Sequence, residues 1–206
     1  PADVLPPAQP VTQAQVARRW LPLAASWLTM GLEGPTVSAV MARLADPEVN
    51  LAAYGGVVMP VSLLIEAPIM MLLTASTALS KDLASFRLMY RFMMAAGLAL
   101  TVLHALLAFT PLYDVVLGTL LGPPEVVRQP AQLGLMLMLP WTWAIAYRRF
   151  HQGLLIRYDR SHHVTIGTVV RLLTLFAVLL VAYLAGASGI VAGCAAVGLA
   201  VTAEAA

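Results

Sequence analysis

Three ionisable residues lie inside apolar runs long enough to cross a membrane. Glu33 sits in WLTMGLEGPTVSAVM, Glu66 in SLLIEAPIMM and Arg171 in TIGTVVRLLTL. A charged side chain at bilayer depth costs at least ~2.5–3.5 kcal/mol on insertion scales, so such residues face a cavity or a partner. Glu33 is followed two residues later by Pro35, and Glu66 by Pro68. Proline removes an amide donor and clashes with the preceding turn, so each carboxylate lies beside a weak point in its helix. Backbone opened in this way builds ion or substrate sites where it lines a cavity. Two carboxylates at similar depth could share a proton or a sodium ion. Arg171 could hold an anionic substrate group bidentately or neutralise Glu66. The structural alternatives are a bond from Glu33 to the Thr36 or Ser38 hydroxyl and a Glu66–Arg171 ion pair. His104, in TVLHALLAF, reads first as a hydrogen-bonded packing residue.

The elements that must position these groups follow from composition. Of 206 residues, 60% are hydrophobic and 11% charged, with a mean hydropathy of +0.84. Soluble domains are about 25% charged. The chain therefore reads as an all-α, polytopic membrane protein whose partner is the lipid bilayer. Residues 1–17 read as a polar, proline-rich tail and residues 18–206 as a transmembrane bundle. A span needs about 20 apolar residues. Six segments qualify: Trp20–Leu44, Leu51–Leu79, Phe92–Phe109, Ala131–Phe150 (with a continuation toward Ile156), Val164–Leu184, and Gly189 to the end. PLYDVVLGTLLGPP, between the third and fourth, reads as an interfacial turn or short helix. Pro140 adds a third mid-span interruption to those at Pro35 and Pro68.

Basic residues orient this arrangement. Arg18, Arg19, Lys81, Arg87, Arg91, Arg148, Arg149, Arg157 and Arg160 fall on one side of a six-span topology, and Arg43 and Arg128 on the other. The positive-inside rule then places the N-terminus in the cytoplasm, and the expected location is a bacterial inner membrane. His151, His162 and His163 fall in the cytoplasmic loop, which reads as a solvated basic segment near anionic lipid. Gly189 and Gly193 form a G-x-x-x-G suited to close helix packing. Cys194 is the only cysteine, which excludes an internal disulfide and a cysteine metal cluster. No H-E-x-x-H, G-x-S-x-G or phosphate-binding loop occurs, and no basic patch interleaved with aromatics, so neither an enzyme nor a nucleic-acid binder is expected. No cofactor or metal is expected beyond a coupling H+ or Na+.

The stretch GLEGPTVSAVMARLADPEVNLAAYGGVVMPVSLLIEAPIMMLLTASTALSKD resembles the first two spans of the multidrug/oligosaccharidyl-lipid/polysaccharide exporter superfamily. The nearest branches are the progressive-ankylosis and MATE-like ones. AYRRFHQGLLIRYDRSHHVTIGTVVR resembles the junction of spans four and five in that family. The resemblance runs over residues 18 to 200 and implies one six-helix lobe of a twelve-helix transporter. It implies a missing C-terminal lobe or a second copy as partner, a small-molecule substrate, and efflux by H+- or Na+-coupled antiport. By position it matches Glu33 to the coupling carboxylate, with Glu66 and Arg171 lining the same cavity. Two other readings stay open: a flippase for lipid-linked substrates, and a membrane scaffold subunit without transport.

Overall fold

Proline placement dictates where the helices of this chain break. The computed structural model describes residues 12–206. Helix α1 (Gln13–Gly31) ends and α2 (Glu33–Met41) begins around a single turn residue, Leu32. Pro35 has no N–H to offer Gly31, and helical bonding resumes when Thr36 donates to Leu32 O at 3.1 Å. Next come α3 (Pro47–Ala53), a π-helical turn (Tyr54–Val58), α4 (Met59–Met70) and α5 (Leu72–Leu79). The π turn precedes Pro60, whose missing donor would have bonded to Gly56. The wider ring, closed by Met59 N–H to Tyr54 O, makes room for the proline ring. Pro68 lies inside α4, and the α4–α5 junction follows three residues later at Met71.

Helix α6 (Leu83–Phe109) has no interior proline and runs for 27 residues. Asp82 caps it: Ser85 N–H donates to Asp82 Oδ1 at 2.8 Å, and Asp82 N–H donates to Ser85 Oγ at 3.0 Å. The segment expected as an interfacial element forms the short helix α7 (Leu112–Leu120). Helix α8 (Glu125–Leu137) and α9 (Leu139–Arg157) are divided at Met138, just before Pro140. Helices α10 (His162–Leu184) and α11 (Gly189–Ala205) pair as an antiparallel hairpin. Among the described residues there is no strand.

Helix α9 forms the spine. Trp141, Ile145, Ala146 and Phe150 are buried, and the helix packs on α5, α6, α11 and α4. Its closest crossing is at Gly153, where a Cβ would stand 1.9 Å from Ser76 Oγ and 2.4 Å from Leu73 O on α5. Thr77 Oγ donates to Gly153 O across the same crossing at 3.0 Å. Helix α11 is small-residue-rich, as its G-x-x-x-G suggests: Gly193 seats Met41 and Val37 of α2, and Cys194 Sγ faces Gly134 of α8. The outer faces of α6 and α10 carry exposed Leu88, Phe92, Leu180, Val181 and Leu184, a surface suited to lipid.

Among the described residues, three segments are long and apolar enough to cross a membrane: Pro47–Leu79, Leu83–Phe109 and His162–Leu184. They contain the second, third and fifth expected spans, and the segment over the third begins at Leu83 rather than Phe92. Helix α11 is apolar but shorter, and the first and fourth expected spans are each divided in two by a break. Helix α1 begins at Gln13, so its first residues, QAQVA, lie within the segment expected as a tail. The rest of the expected tail, residues 1–11, lies outside the described residues.

Candidate functional site: a buried charge network

Glu33 is the first residue of α2, directly after the break at Leu32. A carboxylate there is favoured by the free amides and positive dipole of the helix start. It is buried, and its Oε2 accepts a hydrogen bond from Arg171 Nη2 of α10. Arg171 Nη1 lies 3.5 Å from Glu204 Oε2 on α11 and 3.7 Å from Met30 Sδ, at the end of α1. Glu204 in turn accepts from Arg148 Nη1 at 2.6 Å and from Gln152 Nε2 at 3.2 Å, both on α9. Arg148 and Gln152 stand four residues apart and so share one helix face. Gly167, four residues before Arg171, leaves the room that the Glu204 side chain occupies: a Cβ there would meet Glu204 Cγ at 3.2 Å. A chain of ion pairs thus ties α2, α10, α11 and α9 together.

Glu66 is different. It is 1% exposed in the middle of α4, and neither carboxylate oxygen has a hydrogen-bond partner among the described residues. The charges acting on it are the guanidiniums of Arg148, Arg149 and Arg171. An isolated ionised carboxylate in an apolar interior is strongly disfavoured. Taking up a proton removes that cost and turns an acceptor-only group into one that can also donate.

The structure therefore joins Glu33 directly to Arg171, and Glu66 stands apart as a carboxylate without a donor. Pro35 produces the break that starts α2 at Glu33. Pro68 and Pro140 adjoin the interruptions at Met71 and Met138. A pocket of about 70 Å³ reaches the Arg148–Glu204 pair from a rim that includes His151 and the exposed His163. A larger groove of about 320 Å³ lies between α2 and α10, lined by Thr36, Val40, Arg43 and Phe176. Neither has Pro35, Pro68 or Pro140 in its wall. His104 is fully buried, and its Nδ1 lies 2.7 Å from Thr142 Oγ, a link between α6 and α9. The ring centroids of His162 and His163 lie 4.0 Å apart with the planes tilted by 41°, and His151 Nδ1 donates to Tyr147 O at 2.9 Å. Among the described residues no three His, Cys, Asp or Glu side chains gather as a metal site.

Four network members escape a reading of the sequence. Arg148 and Arg149, counted there among the basic residues flanking a span, are 4% and 9% exposed and belong to the bundle interior. The Arg148-x-x-x-Gln152 spacing is their only local signal. Glu204 lies in VTAEAA, where a lone acid near a helix end looks like an ordinary surface residue. Its partners are more than thirty positions away in the chain, so nothing local identifies it. No protein-family model, curated protein or solved structure matches the chain.

Proposed function

We propose that this chain is a helical lobe of a secondary active transporter in the bacterial inner membrane. It moves a small solute by alternating access and couples that movement to protons. The observation that carries this reading is Glu66: a carboxylate buried in an apolar helix, without a hydrogen-bond donor, facing three guanidiniums. Protonating it changes the charge balance of a network that ties four helices. Helix breaks beside both Glu33 and Glu66 supply backbone able to change its bonding when that balance shifts. Six spans, with the N-terminus cytoplasmic, fit the helix order when α1–α2 and α8–α9 each count as one interrupted span. Resemblance to the exporter superfamily adds a second lobe or a second copy as the body against which this one rocks.

The test uses proteoliposomes containing a pH-sensitive dye and a panel of small organic cations and anions. Solute-dependent proton movement is expected in the wild type and is lost in Glu66→Gln. Absence of solute-dependent proton movement across the whole panel would sink the reading. The direct Glu33–Arg171 pair favours a second reading, a scaffold subunit in which the charges serve only one another. That reading requires that neutral replacement of Glu33, Glu66 and Arg171 together leave the activity of the assembled complex intact.

A further inference from the structure

Arg43 is the charged residue in the wall of the groove between α2 and α10, where it meets Thr36, Val40, Phe176, Leu179 and Tyr183. The two helices run in the same direction away from the Glu33–Arg171 pair: Thr36 comes three residues after Glu33, and Phe176 five after Arg171. The groove therefore opens about one turn beyond that pair. It ends at Arg43, just past the C-cap of α2, and at Tyr183, in the last turn of α10. In the six-span topology that end faces the outer side of the membrane. Thr36 to Arg43 covers about 10 Å at ~1.5 Å per residue. A volume of about 320 Å³ over that length makes a channel about 30 Å² in section, too narrow for a helix ~10 Å across. An extended acyl chain fits it, and a helix of a second copy does not. Leu179 is buried and Phe176, Leu180 and Tyr183 are exposed, so the channel is backed by the core and open to lipid.

Arg43 supplies the polar end. It is exposed, and its Nη1 donates to Ala39 O, one turn back along α2, which leaves the other guanidinium donors for a ligand. Among the described residues no carboxylate pairs with it. Asp46 and Glu48, the next acids along the chain, are exposed and outside the groove lining. Tyr183 brings a hydroxyl to the same end, where a membrane surface favours such a ring. A guanidinium at the mouth of an apolar channel matches a phosphate joined to acyl chains. We propose that the groove binds a phospholipid, with one acyl chain between α2 and α10 and the phosphate on Arg43. The site rests on the membrane placement in the reading above and not on proton coupling. Lipid tails are as apolar as leucine, so filling the channel favours no lipid over another. The Arg43 charge sets the preference, about fivefold for one basic residue near a membrane surface.

Native mass spectrometry of the purified full chain in detergent tests this, with phosphatidylglycerol and with diacylglycerol carrying the same acyl chains. The wild type is expected to retain a single phosphatidylglycerol, bound about fivefold more tightly than diacylglycerol. Arg43→Gln is expected to bring the two lipids level, and because Arg43 is exposed the fold is untouched. Val40→Trp, which fills the channel, is expected to lose both lipids with helix content by circular dichroism unchanged. The site is overturned by equal binding of the two lipids to the wild type, by a preference kept in Arg43→Gln, or by Val40→Trp binding lipid as the wild type does. A second copy of the chain held in place of lipid overturns it too. A chain that needs detergent and shows no preference loses the lipid site alone. A chain that stays soluble without detergent overturns the membrane placement, and the lipid site with it.

Discussion

Glu33 on α2 and Glu66 on α4 occupy the same tripeptide frame, Glu-x-Pro, yet they end in opposite states. Pro35 falls three positions into α2, so the missing amide belongs to a bond that would have crossed the break. Glu33 becomes the first residue of a helix, at the point where α1, α2 and α10 meet, and finds Arg171 there. Pro68 falls inside α4, and the interruption comes only after it, at Met71. Glu66 stays on a regular helical turn of α4, which packs against α9, while Arg148 is directed to Glu204 and Arg171 to Glu33. The lesson is one of phase. A proline before which the helix restarts exposes its neighbouring carboxylate to a partner on another helix. A proline the helix absorbs leaves that carboxylate in place and bare.

This contrast can be broken most severely at Arg171. Arg171→Met strands Glu33 and removes one cation from Glu204, and is expected to destabilise the bundle by about 3–5 kcal/mol. Unfolding in detergent, followed by circular dichroism, measures it. Adding Glu33→Gln should recover part of the loss. A loss of about 1 kcal/mol or less, typical of exposed pairs, would show that the pair is solvated. Gly153→Ala, at the crossing that presses α9 onto α5, is expected to cost about 1–3 kcal/mol through overpacking. The same unfolding assay reads it, and Ser76→Ala in the same chain should return part of the stability by removing the nearest atom.

A smaller effect is expected at Asp82, the cap of the unbroken helix α6 and a counterpoint to the broken ones. Hydrogen bonds from Ser85 hold its carboxyl below the usual carboxylate range. A group whose folded value is lowered stabilises fully above its unfolded value, about 3.9, and loses that contribution as pH falls through the folded one. Asp82→Ala should therefore lower the melting temperature modestly at neutral pH, with the difference from wild type vanishing in strong acid. A difference unchanged by acid would remove the cap from the account. The smallest effect is expected at Glu66 itself. With no hydrogen bond to lose, Glu66→Gln should cost less than Glu33→Gln does. If it costs as much as Glu33→Gln, the two carboxylates are not in different states.

Glu33, Glu66 and Arg171 announce themselves in the sequence because each interrupts a long apolar run, and polarity at that depth has few bland explanations. The proline breaks are legible for the same reason: a missing amide is a local property. Pairing is not. Whether Arg171 meets Glu33 or Glu66 depends on how α10 rotates against two other helices, and no spacing within one helix carries that information. Arg148 and Arg149 illustrate the reverse error. Two adjacent arginines at the end of an apolar run look like a solvent flank, until α9 proves to extend to Arg157 and to carry them between α4 and α11. The π turn was hidden because its cause, Pro60, follows a glycine pair that suggests only looseness.

Cys194 gives the molecule a built-in reporter. It is the chain's only thiol, it is fully buried, and its sulfur rests over the backbone of Gly134, where no side chain of α8 could fit. A maleimide can attach there only while α8 and α11 are parted. The labelling rate of the unmodified protein is therefore a clock for that separation, and no cysteine has to be removed or introduced to read it.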